Sequence, residues 1–326
     1  MRRAKRDFWE RKGAELEEQA KKNNTRAVYQ TIKELSDNFT VQDDCVKHLD
    51  GTPVKDDGDL KERWRQHFEG LLNVGKELAE ETLLKLDVQQ QESDLEEPYP
   101  TEREITDAIK ALKNNKAAGI DGIHAEMIKA GGTTLAKYLY QMFVEIWKAE
   151  KVPEDWVKAV VVPLFKKGDR SICDNYRGIS LLSVVGKVFT HVLLNRLITI
   201  VDSKLSEIQA GFRKNRGCAE QIFNMRRLME QTRRRRVPVH MCFIDLKAAY
   251  DTVNRNGLLK ILLSYGVSKK LCNLVKSLYE GTMAAVRVRG ALTKWFGVRT
   301  GLRQGCLLSP ALFNVYIDLV LRTALQ

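Results

Sequence analysis

No stretch of this 326-residue chain approaches the ~18 continuous apolar residues of a membrane span, since runs such as Ala159–Phe165 are short and interrupted by proline. A membrane is therefore not expected among its partners. The opening residues, MRRAKRDFWERKGAELEE, lack the apolar centre of a secretory signal, which makes an intracellular chain the default expectation. There is no C-x-x-C pair: Cys45, Cys173, Cys218, Cys242, Cys272 and Cys306 lie at least 24 residues apart. That spacing speaks against a disulfide scaffold or zinc ribbon, and five of the six sit beside apolar residues, as small buried hydrophobes do. Fixed-period repeats and low-complexity tracts are also missing.

What the chain does have is a globular composition, 44% hydrophobic and 29% charged. Its length is about twice that of a typical ~150-residue domain, enough to bury a substantial core. The net charge is +12, from 54 Lys+Arg against 42 Asp+Glu, and it is unevenly placed. Residues 213–236 hold nine basic side chains and two acidic ones, whereas 77–104 holds ten acidic side chains against Lys85 and Arg103. A localised basic face points to phosphate as a partner; a solvated helix face is the alternative.

Element signals divide the chain. Residues 3–35 read as a polar helix, followed by β-like runs at Phe39–Val41 and Val46–Val54 around an Asp50-Gly51 turn. Leu60, Trp64, Phe68, Leu71 and Leu72 repeat at helical spacing. After an acidic stretch ending at Pro98-Tyr99-Pro100, the best candidate linker, Thr101-x-x-Glu104 forms a capping box. Further helices are expected from about Thr134, over Val185–Ile200, Glu220–Arg235, Asn254–Tyr265, Lys270–Glu280 and from Ser309. Strands are expected at Trp156–Phe165 and Val239–Asp245, with a hairpin over Met283–Arg299 turning at Gly290. The class is α+β.

Three segments could carry chemistry. In Phe243-Ile-Asp-Leu-Lys-Ala-Ala-Tyr-Asp251, a carboxylate ending a strand could hold a divalent metal with an aromatic five residues on; a strand-end carboxylate capping the next turn is the alternative. In Gly301-Leu-Arg-Gln-Gly-Cys-Leu-Leu-Ser-Pro310, two glycines allow close backbone approach on either side of Gln304, although an ordinary loop before a Ser-Pro helix start has the same features. Third, Val162–Asp169 and Asn175–Leu182 set Lys166 and Arg177 on neighbouring elements, where a point charge and a guanidinium fork can clamp a triphosphate.

Together and in this order, KAAGIDGIHAEMIK (116–129), VPLFKKGD (162–169), NYRGISLLSVVGKVF (175–189), QAGFRKNRGCAEQIF (209–223), FIDLKAAYD (243–251) and GLRQGCLLSP (301–310) resemble the reverse transcriptases of non-LTR (LINE-type) retrotransposons. The resemblance runs from about residue 98 to the end. It implies RNA-directed DNA polymerase chemistry on a right-hand polymerase fold, with a mostly helical N-terminal extension (1–97), a fingers region (98–238) and a partial palm (239–326). It further implies Asp245 as the first catalytic, metal-binding aspartate and Tyr250 as an aromatic gate against the ribose 2′-hydroxyl. Gln304 and Gly305 would lie at the incoming nucleotide, Lys166 and Arg177 on its triphosphate, and Arg213, Lys214 and Arg216 along nucleic acid. RNA template, DNA primer, dNTP and two Mg²⁺ ions are the implied partners and cofactors.

The family's second carboxylate motif, an aromatic-Ala-Asp-Asp turn, does not occur before Gln326, nor does a thumb. The expectation is a fragment that cannot assemble the metal pair, with Asp251 and Asp318 unconvincing substitutes. A catalytically silent nucleic-acid-binding remnant and a helical interaction protein remain as alternatives.

Overall fold

The computed structural model describes residues 2–22, 24–25, 28, 31, 46–74 and 96–324. The expected strand at Phe39–Val41, most of the acidic stretch and Cys45 lie outside them. Helix α1 spans Arg2–Lys21. The Asp50-Gly51 turn forms, closed by a Lys47–Pro53 bridge and by the His48 amide donating to the Thr52 carbonyl at 2.8 Å.

Helix α2 (Asp57–Leu71) begins where the Asp56 carboxylate accepts from the Asp59 amide. It buries Leu60, Trp64 and Phe68, the apolar positions of its 3.6-residue period. The Thr101 capping box opens α3 (Glu102–Ala111): the Glu104 amide donates to Thr101 Oγ1 and the Thr101 amide to Glu104 Oε2. Short helix α4 (Ala125–Ala130) leads into α5 (Gly132–Ala149), whose Leu139, Phe143, Ile146 and Trp147 face the core.

Strand β1 (Lys158–Phe165) pairs antiparallel with β2 (Tyr176–Leu181), in register Leu164 to Arg177 and Phe165 to Tyr176. The apolar helices α6 (Val184–Val201), α8 (Arg255–Ser264) and α9 (Lys269–Tyr279) follow, separated by the polar helix α7 (Cys218–Arg235). Strand β3 (Met283–Val288) runs parallel to β1 and pairs antiparallel with β4 (Ala291–Leu292) and β5 (Phe296–Gly297). The expected hairpin thus forms, closed by Arg289 and Gly290, both at positive φ as a two-residue turn of this hand requires. Helix α10 (Ser309–Ala324) closes the described chain.

The fold is α+β, a small mixed sheet of order β2-β1-β3-β4 set among helices. One face of the sheet packs on α2, where Trp64 and Phe68 meet Val161, Ala284, Val286 and Val288, so residues 46–74 share a core with the strands. The larger core is helical, built from α3, α5, α6, α8, α9 and α10 around Phe143, Trp147, Phe189 and Leu262. Arg196 locks the α3 entry to it: the guanidinium bonds Glu104 and the Pro98 and Tyr99 carbonyls, and stacks on Trp147 with 4.8 Å to the ring centroid.

Two sequence expectations need correction. Residues 239–245 form no strand; they pair with no other segment, and Phe243 and Ile244 are 78% and 80% exposed. Apolar, β-prone composition makes a strand only where a ladder edge is open. Among the described residues both edges of β1 and β3 are occupied, and the outer edge of β2 takes the Gln304 carbonyl. Second, Cys173 and Cys272 are buried as expected, whereas Cys218 and Cys242 are exposed. Helix α6 is long and apolar enough by length and composition to cross a bilayer, but polar residues at Lys187 and Asn195-Arg196 interrupt it and half of it is buried inside the fold.

Candidate functional site

The sheet brings the candidate triphosphate clamp together. Strand alternation places Arg177 and Lys166, one residue beyond β1, on the same face of the β1–β2 hairpin, and both are exposed. The hairpin continues past the strands, since the Lys166 amide donates to the Asn175 carbonyl at 2.8 Å.

Against β2 lies the glycine-bracketed loop before α10. The Ser180 amide donates to the Gln304 carbonyl at 3.2 Å, and a Cβ on Gly305 would sit 2.8 Å from the Ser180 oxygen. On the other side a Cβ on Gly301 would stand 2.7 Å from the Asp251 Cα and carbonyl oxygen. Both glycines have positive φ, +76° and +106°. Only glycine allows this backbone to lie between two others.

Two backbone hydrogen bonds fasten the loop to the turn after Asp245: the Leu302 amide donates to the Tyr250 carbonyl at 2.8 Å, and the Gly301 amide to the Val253 carbonyl at 2.9 Å. Tyr250 is half-buried and stacks on Phe313 of α10, centroids 4.7 Å apart at 16°. Burial pushes its phenol upward, with the Arg177 charge acting the other way.

A polar chain crosses this assembly. Arg177 Nε donates to Gln304 Oε1 at 3.3 Å, and Gln304 Nε2 donates to the Asp251 carboxylate at 3.1 and 3.3 Å. Asp251 is 6% exposed, and desolvation raises its pKa against the pull of Gln304 and Arg177. Sequence reasoning set Asp251 aside as an unconvincing substitute for the second carboxylate motif. The structure instead puts it at the centre of the site; its place directly after Tyr250 was the only available signal.

Behind the loop, Arg255 is half-buried. It donates to the carbonyls of Tyr279, Val298, Thr300 and Gly301 and to Thr282 Oγ1. Desolvation brings its guanidinium down to about 10. Arg303 Nη1 donates to the Trp156 carbonyl at 2.6 Å, and the two guanidinium groups stand 5.1 and 5.3 Å from the ring centroid of Tyr279.

Asp245 stands apart from this polar chain. It is exposed on the unpaired 239–245 run, and among the described residues no group of three His, Cys, Asp or Glu side chains could hold a metal. Asp251 is already engaged by Gln304. The described residues therefore do not gather the ligands that two close Mg²⁺ ions need.

The basic segment divides on inspection. Arg213 is a buried clamp: Nε donates to Asp202 Oδ1, Nη2 to the Asp202 carbonyl, and Nη1 to the Ser206 and Gln209 carbonyls. That corrects its reading as a phosphate contact, because all of these donors point inward. Arg216 pairs with Glu207 at 2.6 Å, while Lys214 and Arg233–Arg236 are exposed. Between the clamp and α10, Phe212 sits at φ +56° and is 71% exposed. No residue of α7 is buried.

Residues 165–326 match the family model described as reverse transcriptase (RNA-dependent DNA polymerase). The chain is 26% identical over 279 residues to the transposon TX1 uncharacterized 149 kDa protein of Xenopus laevis, covering 84% of this chain and 21% of that protein. It is 28% identical over 219 residues to the RNA-directed DNA polymerase from mobile element jockey of Drosophila funebris, covering 66% and 24%. To the probable RNA-directed DNA polymerase from transposon BS of Drosophila melanogaster it is 30% identical over 249 residues, covering 74% and 27%. The aligned region thus spans about a quarter of these relatives' length. With the ordered motifs and the Arg177–Gln304–Tyr250 assembly, these matches place the chain in the reverse transcriptase family of non-LTR retrotransposons.

Proposed function

We propose that this chain performs the nucleotide- and template-handling part of RNA-directed DNA synthesis, with residues 98–238 as fingers and 239–326 as part of a palm. The observation that carries the reading is that Arg177 of β2 meets Gln304 at 3.3 Å while the Gln304 loop is fastened to the Tyr250 carbonyl through Leu302, so that three separate segments meet at the outer edge of β2. Arg177 and Lys166 take the triphosphate of a dNTP, the guanidinium through its fork and the ammonium as a point charge. Tyr250, held flat by Phe313, closes the volume that a 2′-hydroxyl would enter. Exposed Lys214 and Arg233–Arg236 draw RNA or an RNA–DNA hybrid through phosphate contacts with little sequence preference.

Asp245 is the carboxylate that would hold a Mg²⁺ ion, which would supply charge neutralisation at the triphosphate. Polymerisation needs carboxylate ligands for two close metal ions, so in this reading the described residues bind nucleotide and nucleic acid, and extension of a primer requires further ligands.

Equilibrium binding of a fluorescent dATP in Mg²⁺ tests the proposal. Saturable binding that competes with other dNTPs and weakens at least ten-fold in Arg177→Ala is expected. Affinity that is unchanged in both Arg177→Ala and Lys166→Ala would refute it.

A further inference from the structure

The site holds a carboxylate to which the nucleotide reading above gives no part. Asp251 is buried, its carboxylate meets the Gln304 amide, and that amide meets Arg177. We infer that Asp251 is a positioning residue: it fixes which end of the Gln304 amide faces Arg177, and so sets the arrangement of hydrogen-bond groups that an incoming nucleotide meets.

A primary amide can sit in its envelope two ways, related by a half-turn that exchanges oxygen and nitrogen. Here only one is compatible with its neighbours. With Nε2 toward Asp251 and Oε1 toward Arg177, every contact joins a donor to an acceptor. The flipped amide would set its oxygen against a carboxylate and its NH₂ against a guanidinium, two repulsive contacts of which the one at Asp251 is poorly solvated. The orientation is therefore imposed by charge on both sides.

The carboxylate cannot drift to suit the amide. The Asp251 amide donates to the Ala248 carbonyl at 2.9 Å, and its own carbonyl accepts from Thr300 Oγ1 at 3.3 Å. Gly301 lies flush against its backbone, and the two bonds from Gly301 and Leu302 hold turn and loop in one frame. At the other end, Arg177 spends Nε on Gln304, and its Nη groups make no hydrogen bond among the described residues. Asp251 thus acts through Gln304 on Arg177, leaving the fork free for phosphate. This inference rests on the nucleotide reading above for its consequence, although the orientation itself does not.

The experiment uses the full chain, ¹⁵N-labelled. The Gln304 side-chain NH₂ pair is assigned by its loss in Gln304→Glu. It should be well resolved from the other side-chain amides and should move or broaden in Asp251→Asn, whose amide can satisfy either orientation. Unfolding midpoints supply the second measurement. Gln304→Glu sets two carboxylates together and should lower the midpoint, whereas adding Asp251→Asn restores a donor opposite the new carboxylate and should recover most of the loss. A role confined to filling space would not reverse sign in this way.

Binding of fluorescent dATP is the third readout, with several-fold weakening expected in Asp251→Asn and about ten-fold in Asp251→Ala, comparable to one hydrogen bond to a charged group. If wild type binds dATP while the NH₂ pair is unmoved and the double variant is no better than Gln304→Glu, the inference is overturned and the nucleotide reading stands. If wild type does not bind, the nucleotide reading fails, and the NH₂ pair and the midpoints still decide the positioning role.

Discussion

Gly301→Ala is the substitution whose cost the geometry defines best. The residue sits at φ +76°, in the left-handed region where an L side chain costs roughly 1–2 kcal/mol. The added Cβ would also come 2.7 Å from the Asp251 Cα and carbonyl oxygen and 2.9 Å from its carbonyl carbon, all backbone atoms that cannot rotate away. Overpacking of that kind costs ~1–3 kcal/mol through backbone displacement. The expected total is about 3 kcal/mol, the sum of those two effects.

Gly290→Ala separates the contributions. Its φ is +83°, but nothing lies within 4 Å of the added Cβ, so only the conformational cost of ~1–2 kcal/mol applies. Urea unfolding of both variants should therefore show Gly301→Ala less stable by about 2 kcal/mol, roughly thirty-fold in the folding equilibrium. Fluorescent dATP binding should weaken in Gly301→Ala alone, because only that change pries the loop from the Tyr250 turn. Equal costs for the two substitutions would refute the packing of the loop against Asp251.

Four other outcomes are expected. Thr101→Ala should destabilise by about 1 kcal/mol through loss of the α3 cap, and Arg196→Met by more, since it also frees Glu104 and two carbonyls; urea midpoints check the order. If Lys214 and Arg233–Arg236 engage five phosphates of single-stranded RNA, log affinity should fall with log salt at a slope of roughly −3.5, and the four-arginine change to Ala should flatten it. Primer extension with Mg²⁺ or Mn²⁺ should give no product from residues 1–326, and synthesis abolished by Asp245→Ala would overturn that expectation. Finally, the folded pKa of Asp251 lies above its ordinary 3.8, so the ionised carboxylate subtracts from stability at neutral pH and the penalty disappears as pH falls through the folded value. The stability difference between Asp251→Asn and wild type should shift in favour of the variant as pH rises from 4 to 7, and a pH-independent difference would count against the burial of this group.

Most helices were legible because their signals are local, such as the capping box at Thr101 and the Leu60–Trp64–Phe68 spacing. The β1–β2 pair was also legible as two neighbouring runs carrying Lys166 and Arg177. Sheet order was not, because the parallel β1–β3 pairing joins segments more than a hundred residues apart. The run 239–245 shows the same limit, as its composition describes a strand while pairing depends on which edges the rest of the chain leaves open. Arg213 was misread because a count of charges does not tell a guanidinium facing outward from one folded back on Asp202. Asp251 escaped because one buried carboxylate in a turn has no period or motif of its own.

The network around Arg255 bears on which mutations this fold can absorb. Of the four carbonyls it serves, those of Tyr279 and Val298 both lie within reach of the single Thr282 Oγ1 proton, so one of the two keeps a partner if the guanidinium is lost. The carbonyls of Thr300 and Gly301 have no such alternative side-chain donor among the described residues, and both lie at the entry to the Gln304 loop. Lysine brings three donors from one nitrogen and cannot span the same set. A copy of this sequence that drifts at position 255 would thus lose the order of its substrate loop first, with every side chain that faces the nucleotide still intact.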